Sequence, residues 1–165
     1  MVRKQRFIVV GVDDTPGSTA ALEFALREGL AHGDAVEVVS AWRWTSPYEG
    51  VQQAGTMEDA REAAAAMQDA LVRAALDRLP RHPVVSQTTV HDYAGKALVT
   101  RSEGARMLVV GSGRKSALSR TLLGSVSEYC VRHAPVPVVV VADPARTSHV
   151  PPTPVERPSA MGVTI

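Results

Sequence analysis

A single cysteine, Cys130, is all the thiol chemistry this chain carries, which excludes an internal disulfide and any cysteine-cluster metal site. Lying in a helical stretch, it reads as a small buried hydrophobe. Neither sign of charge is in excess. The formal net charge is +1, and the basic residues, almost all arginine, are spread without a run. That balance makes no case for nucleic acid or an acidic membrane surface as a partner. No apolar stretch approaches the length of a membrane-spanning helix. Basic residues ahead of Phe7–Val12 superficially resemble a secretory leader, but the apolar run is too short. Two aspartates follow it, with no small-residue cleavage site, so a reduced, cytoplasmic setting is expected. The histidines, His32, His82, His91, His133 and His149, show no i, i+4 pairing and read as surface or helix-end residues, with no metal ligand set among them. His133, near the end of a helix, suits the helix dipole. No Ser-His-Asp or Cys-His set suggests itself, and no catalytic residue is assigned.

What is present is enough for one core. At 165 residues and 45% hydrophobic content, the chain is too short for two typical domains. Five apolar runs rich in β-branched residues read as strands: Phe7–Val12, Ala35–Trp42, Val84–His91, Met107–Gly111 and Pro137–Ala142. Helical spacing separates them. Ser18–Leu30 puts Ala21, Leu22, Ala25, Leu26 and Leu30 on one face after a Thr15-Pro16-Gly17 start signal. Thr56–Leu79 repeats Met67, Leu71, Ala75 and Leu79 and stops at Pro80. Gly95–Ala105 and Ser125–His133 are shorter. Strands alternating with helices predict an α/β fold, a doubly wound parallel sheet with right-handed crossovers and helices on both faces. Arg43–Gly55 reads as a polar loop. The domain is expected over 1–143, followed by a Pro-rich tail over 144–165 that reads as mostly disordered. No internal repeat is apparent.

In such a sheet, ligands sit beyond the carboxyl ends of the strands where strand order reverses. Three strand ends are equipped for that. After Gly11, Asp13 could accept hydrogen bonds from ribose hydroxyls or simply help start the next helix, a turn role that Asp14-Thr15-Pro16 fits more naturally. Asp13 and Asp14 are neighbours on a turn, so they make a poor acid/base pair. Ser40-Ala41 is a small-residue end against which a flat base could lie, with Trp42 and Trp44 either packing over the sheet edge or lidding a base pocket. The third end is the richest: Gly111 closes a buried strand, Ser112–Ser119 is small and basic, and Gly124-Ser125 enters a helix. Ser125 and Glu128 spell a capping box. Glycines at a strand end beside Arg114 and Lys115 leave room for phosphate oxygens to approach backbone N–H groups at a helix start. The stretch from Gly111 to Ser116 begins like G-x-G-x-x-G but has Ser116 where the third glycine belongs. It fails the P-loop pattern as well.

The opening VVGVDDTPGSTAALEFAL, the later LVVGSG…LLGSVSEYCVRHAPVPVVVV and the element order together resemble the universal stress protein family over roughly residues 6–142. ATP-binding members carry G-x-x-G, nine residues, then G-[S/T]. Gly111 and Gly124-Ser125 match that spacing, while the middle glycine position is Arg114, with Gly113 one place earlier to supply loop flexibility. Arg114 either bonds a phosphate or stands in its place. The resemblance implies a flavodoxin-like sheet of order 3-2-1-4-5, resembling adenine nucleotide hydrolases. It puts Asp13 at the ribose, Gly11 and Ala41 near adenine, and Gly111, Gly124, Ser125 and Val126 at the phosphates. Lys115 is added as a phosphate contact from its charge and position. The reading is an ATP-binding stress-response regulatory module, with Mg²⁺ accompanying the nucleotide and little or no hydrolysis. It would form a homodimer through the edge strand Pro137–Val141 and act on unknown protein partners. The alternatives are a nucleotide-free dimeric scaffold of the same fold and an adenine nucleotide-processing enzyme.

Overall fold

A computed structural model describes residues 5–44, 55–113 and 123–144. Strands β1 (Phe7–Gly11), β2 (Ala35–Trp42), β3 (Val85–His91), β4 (Met107–Gly111) and β5 (Val138–Val141) alternate with helices α1 (Pro16–His32), α2 (Met57–Leu76), α3 (Ala94–Arg101) and α4 (Ser125–His133). The strands form one sheet in the order β3-β2-β1-β4-β5, every pair parallel. This is the doubly wound arrangement read from the sequence.

Alternation along each strand feeds two separate cores, because successive side chains leave a strand on opposite faces. Ile8, Val10, Val36, Val38 and Val109 pack with Ala21, Leu22, Ala25 and Leu26 of α1 and with Val72 and Ala75 of α2. Val9, Val39, Leu108 and Val110 pack on the other face with Leu98 of α3 and Cys130 of α4. The thiol is fully buried, as its helical position suggested, and burial pushes its pKa up to about 11. β5 lies at the sheet edge and is only half-buried along its length.

The structure moves some expected faces and ends. Leu30 is exposed, and Gly29 takes the buried place next to it. The buried stripe of α2 is Gln68, Val72 and Ala75, rotated by about one residue from the spacing read in the sequence. Gln68 sets that rotation: its side-chain amide donates to the carbonyls of Val38 (3.0 Å) and Thr88 (3.1 Å) on adjacent strands. The helix then ends at Leu76, before Leu79. α3 likewise stops at Arg101, and the chain turns through Gly104 before β4.

At the amino ends of the strands, Asp34 is 3% exposed and is held by Arg6 at 3.2 Å and Arg106 at 2.7 Å. These residues precede β2, β1 and β4, so one carboxylate ties three central strands together. Glu37, also buried, pairs with Arg101 at the end of α3 and accepts from Thr88 at 3.1 Å. Among the described residues, no helix is long and apolar enough to cross a membrane.

Candidate functional site at the carboxyl ends of the strands

The chain winds from β1 outward to β3 in one direction and returns to place β4 and β5 on β1's other side. The gap above β1 and β4 is therefore the reversal point of the sheet. A cleft of about 260 Å³ opens there, between the segments that leave these two strands. It brings together Gly11, Asp13, Ala41, Gly111, Gly113, Gly124, Ser125 and Val126, every expected site residue that lies within the described part of the chain. Arg114 and Lys115 lie outside the described residues.

Three glycines shape the cleft for distinct reasons. A Cβ on Gly111 would stand 2.6 Å from the Gly17 carbonyl carbon and 2.8 Å from the Ser18 nitrogen, so glycine lets the start of α1 lie directly on the end of β4. A Cβ on Gly124 would stand 2.2 Å from the Gly113 carbonyl oxygen. That contact, together with the Gly124 N–H donating to the Ser112 carbonyl at 3.0 Å, holds the start of α4 against the chain leaving β4. Gly113 has open space around it but a φ of +43°, so a left-handed turn is what requires glycine here.

The expected capping box at α4 is not formed. Gly124 is the N-cap, which makes Ser125 the first helical residue, one place too late to cap. Glu128 instead bonds Arg132 one turn on, and Ser127 donates its hydroxyl to the Gly124 carbonyl at 2.9 Å. The first N–H groups of α4, at Ser125 and Val126, thus face the cleft without a side-chain cap; a helix start has no intrahelical acceptors for them. A reciprocal capping box does form at α2, where Thr56 and Asp59 satisfy each other's backbone N–H. Those hydrogen bonds hold the Asp59 carboxyl below its usual pKa.

Asp13 has a structural task as well. Its Oδ1 accepts from the Thr15 N–H at 2.9 Å and from the Thr15 hydroxyl at 2.5 Å. Thr15 in turn is the N-cap of α1, accepting from the Ser18 N–H. The turn role expected of Asp14-Thr15-Pro16 is thus carried by Thr15, and Asp13 shares in it. Ser18 closes the knot: its hydroxyl donates to the Asp13 carbonyl at 2.6 Å and accepts the Asp13 N–H at 3.1 Å. Thr15 and Ser18 also line the cleft; the sequence marked Thr15 as part of the helix start and opened the helix at Ser18 but named neither as a site residue.

Leu98 and Ala94 of α3 line the cleft as well, with Leu98 so close to Gly11 that a Cβ there would meet its Cδ1 at 2.7 Å. Neither tryptophan lines the cleft. Trp42 stacks on His91 of the neighbouring strand, ring centroids 4.5 Å apart, and Trp44 donates its indole N–H to the Gly55 carbonyl at 3.5 Å. The sheet-edge reading of Trp42 therefore holds. Among the described residues, no group of three metal-binding side chains gathers.

An open, all-parallel sheet with a glycine-edged cleft at its reversal point, beside the start of a helix, defines an α/β domain of the doubly wound class. A family model for the universal stress protein family matches residues 5–142, and the chain belongs to that family. A universal stress protein of Mycolicibacterium smegmatis is 31% identical over 150 residues, covering 86% of this chain and 50% of its own length. One from Mycobacterium tuberculosis is 35% identical over 135 residues, covering 81% of this chain and 44% of its own. The chain thus spans about half the length of the curated relatives it matches. A solved universal stress protein in complex with cAMP superposes with a TM-score of 0.62 at 26% identity, covering 82% of this chain and 96% of that one. The universal stress protein UspA from Lactobacillus plantarum shares the fold, with a TM-score of 0.62 at 17% identity, covering 84% of this chain and 99% of that one.

Proposed function

We propose that the cleft binds an adenine nucleotide, ATP in the first instance, and that the domain acts as a cytoplasmic stress-response regulatory module. The observation that carries this reading is the glycine contact between Gly113 and Gly124, which leaves the start of α4 uncapped and open to the cleft. Such a helix start favours an anion through its N–H groups and dipole. A structurally similar relative at 26% identity was solved with cAMP, which supports an adenine ring and a phosphate as the recognised chemistry. Adenine would lie against Gly11 and Ala41, with the ribose hydroxyls on Asp13. The phosphates would meet Gly111, Gly124, Ser125 and Val126, with Gly113 beside them and Arg114 and Lys115 adding positive charge. Any Mg²⁺ would be held chiefly by the phosphates and water, as this ion prefers.

Hydrolysis is expected to be slow. Among the described residues, no histidine or cysteine lines the cleft, and its one carboxylate, Asp13, is tied to Thr15. The edge position of β5 supports a homodimer, because an apolar edge strand left unpaired is a template for a second copy. The test is calorimetric titration with ATP, alongside mass spectrometry of any ligand released from the purified protein. A nucleotide released or bound supports the reading, and neither would sink it. Turnover near background is the companion expectation; rapid turnover lost in Asp13→Ala would favour a nucleotide-processing enzyme instead.

A further inference from the structure

The cleft continues past the start of α4. Through Ala94, Ser125 and Val126 it runs into a second hollow of about 340 Å³ between the starts of α3 and α4, walled by Tyr93, Lys96 and Tyr129. The two halves differ in chemistry. The first is edged by glycine backbone and a bare helix start. The second is walled by aromatic rings, with Tyr93 61% and Tyr129 40% exposed.

Neither ring hangs loose. The Arg43 guanidinium lies 4.0 Å over the centroid of Tyr93, and the Tyr93 N–H donates to the Asp92 carboxylate at 2.7 Å. Tyr129 stacks on His133, centroids 4.2 Å apart, and lies so close over Gly95 that a Cβ there would meet its Cδ1 at 2.7 Å. The chain has only three tyrosines and 4% aromatic residues, and it spends two of those tyrosines on this half-open hollow. Braced, exposed rings beside a phosphate seat make a stacking platform for a flat ring.

We propose that the two-part cleft takes a dinucleoside polyphosphate. One adenosine occupies the half beside Gly11 and Ala41, the phosphate chain crosses the start of α4, and the second base stacks on Tyr93 and Tyr129. Arg43, over the Tyr93 ring, braces it and adds positive charge near the hollow. This inference rests on the nucleotide reading of the first half.

The experiment compares, by calorimetry, diadenosine polyphosphates of two to five phosphates with adenosine polyphosphates of the same phosphate number. The second base is expected to tighten binding about tenfold at the best linker length. Tyr129→Ala and, separately, the more exposed Tyr93→Ala should collapse the ratio of the two affinities toward one. Equal affinities at every linker length, or an advantage that survives both substitutions, overturn the proposal while nucleotide binding stands. A protein partner covering the hollow would give that equal-affinity result. Binding of neither series would overturn both readings.

Discussion

The two ends of the sheet solve opposite problems with the same strands. At the amino ends, the chain closes a buried carboxylate, Asp34, against Arg6 and Arg106. At the carboxyl ends it sets glycine at positions 111 and 124, letting backbone press on backbone, and at 113, where the chain turns left-handed. The closed end spends its polar groups on each other. The open end, among the described residues, leaves the start of α4 without a side-chain cap. The proposed function puts binding at one end and stability at the other, and substitutions can test whether that division is real.

The largest effect is expected at the closed end. Arg106→Ala leaves the buried Asp34 carboxylate with only the exposed Arg6, and a buried charge left partly compensated costs up to about 3 kcal/mol of folding stability. Urea unfolding would read the loss, while nucleotide affinity of the folded protein should stay the same. An altered affinity would show that the two ends are coupled. Next comes Gly111→Ala, whose methyl cannot fit against the Gly17 and Ser18 backbone. It should cost about 1–3 kcal/mol as α1 is forced off β4, and it should also weaken the nucleotide, because the cleft wall moves. A full stability loss with unchanged affinity would place the ligand elsewhere.

How much of this was legible beforehand follows the same division. β-branched runs located the strands, and their alternation with helices implied a parallel sheet, because strand periodicity is a local signal; the strand order and most of the residues expected at the open end came from the family resemblance instead. The closed end was invisible: Asp34, Arg6 and Arg106 are far apart in sequence and meet only through the register of β1, β2 and β4. Gln68 escaped notice for a similar reason. A polar residue in a helical stripe looks exposed until two strand carbonyls receive its amide. The capping box at Ser125 failed differently. Its S-x-x-E pattern was real, but the approach of Gly124 to Gly113 starts the helix one residue earlier than the pattern requires. Asp13 was recognised as a candidate, whereas its bond to Thr15 shows that one side-chain oxygen also serves the turn.

Smaller effects separate those double duties. Gly124→Ala should reduce nucleotide affinity about tenfold or more, roughly 1.4 kcal/mol, since relieving the clash with Gly113 displaces the start of α4 from the phosphates. Asp13→Asn keeps an acceptor oxygen for Thr15, so stability should change by less than about 1 kcal/mol, while affinity falls through the lost carboxylate charge. If Asp13→Asn binds nucleotide as well as the parent does, Asp13 is a turn residue only.

The smallest effect belongs to Cys130, which lies on α4 in the core between the two ends. Burial raises its pKa from 9.0 to about 11, so the folded protein holds the proton after the unfolded chain has released it. The unfolded state then binds fewer protons, and stability falls as pH rises from about 9 to about 11. Below that window the contribution is complete. Cys130→Ala should flatten this part of the stability profile. Near neutral pH the native thiol should resist a thiol reagent, reacting only when α4 lifts from the sheet. A nucleotide bound at the start of α4 should slow that labelling, because it stabilises only the closed form. Labelling that is fast, or indifferent to nucleotide, would mean that α4 is not the element on which the open end closes.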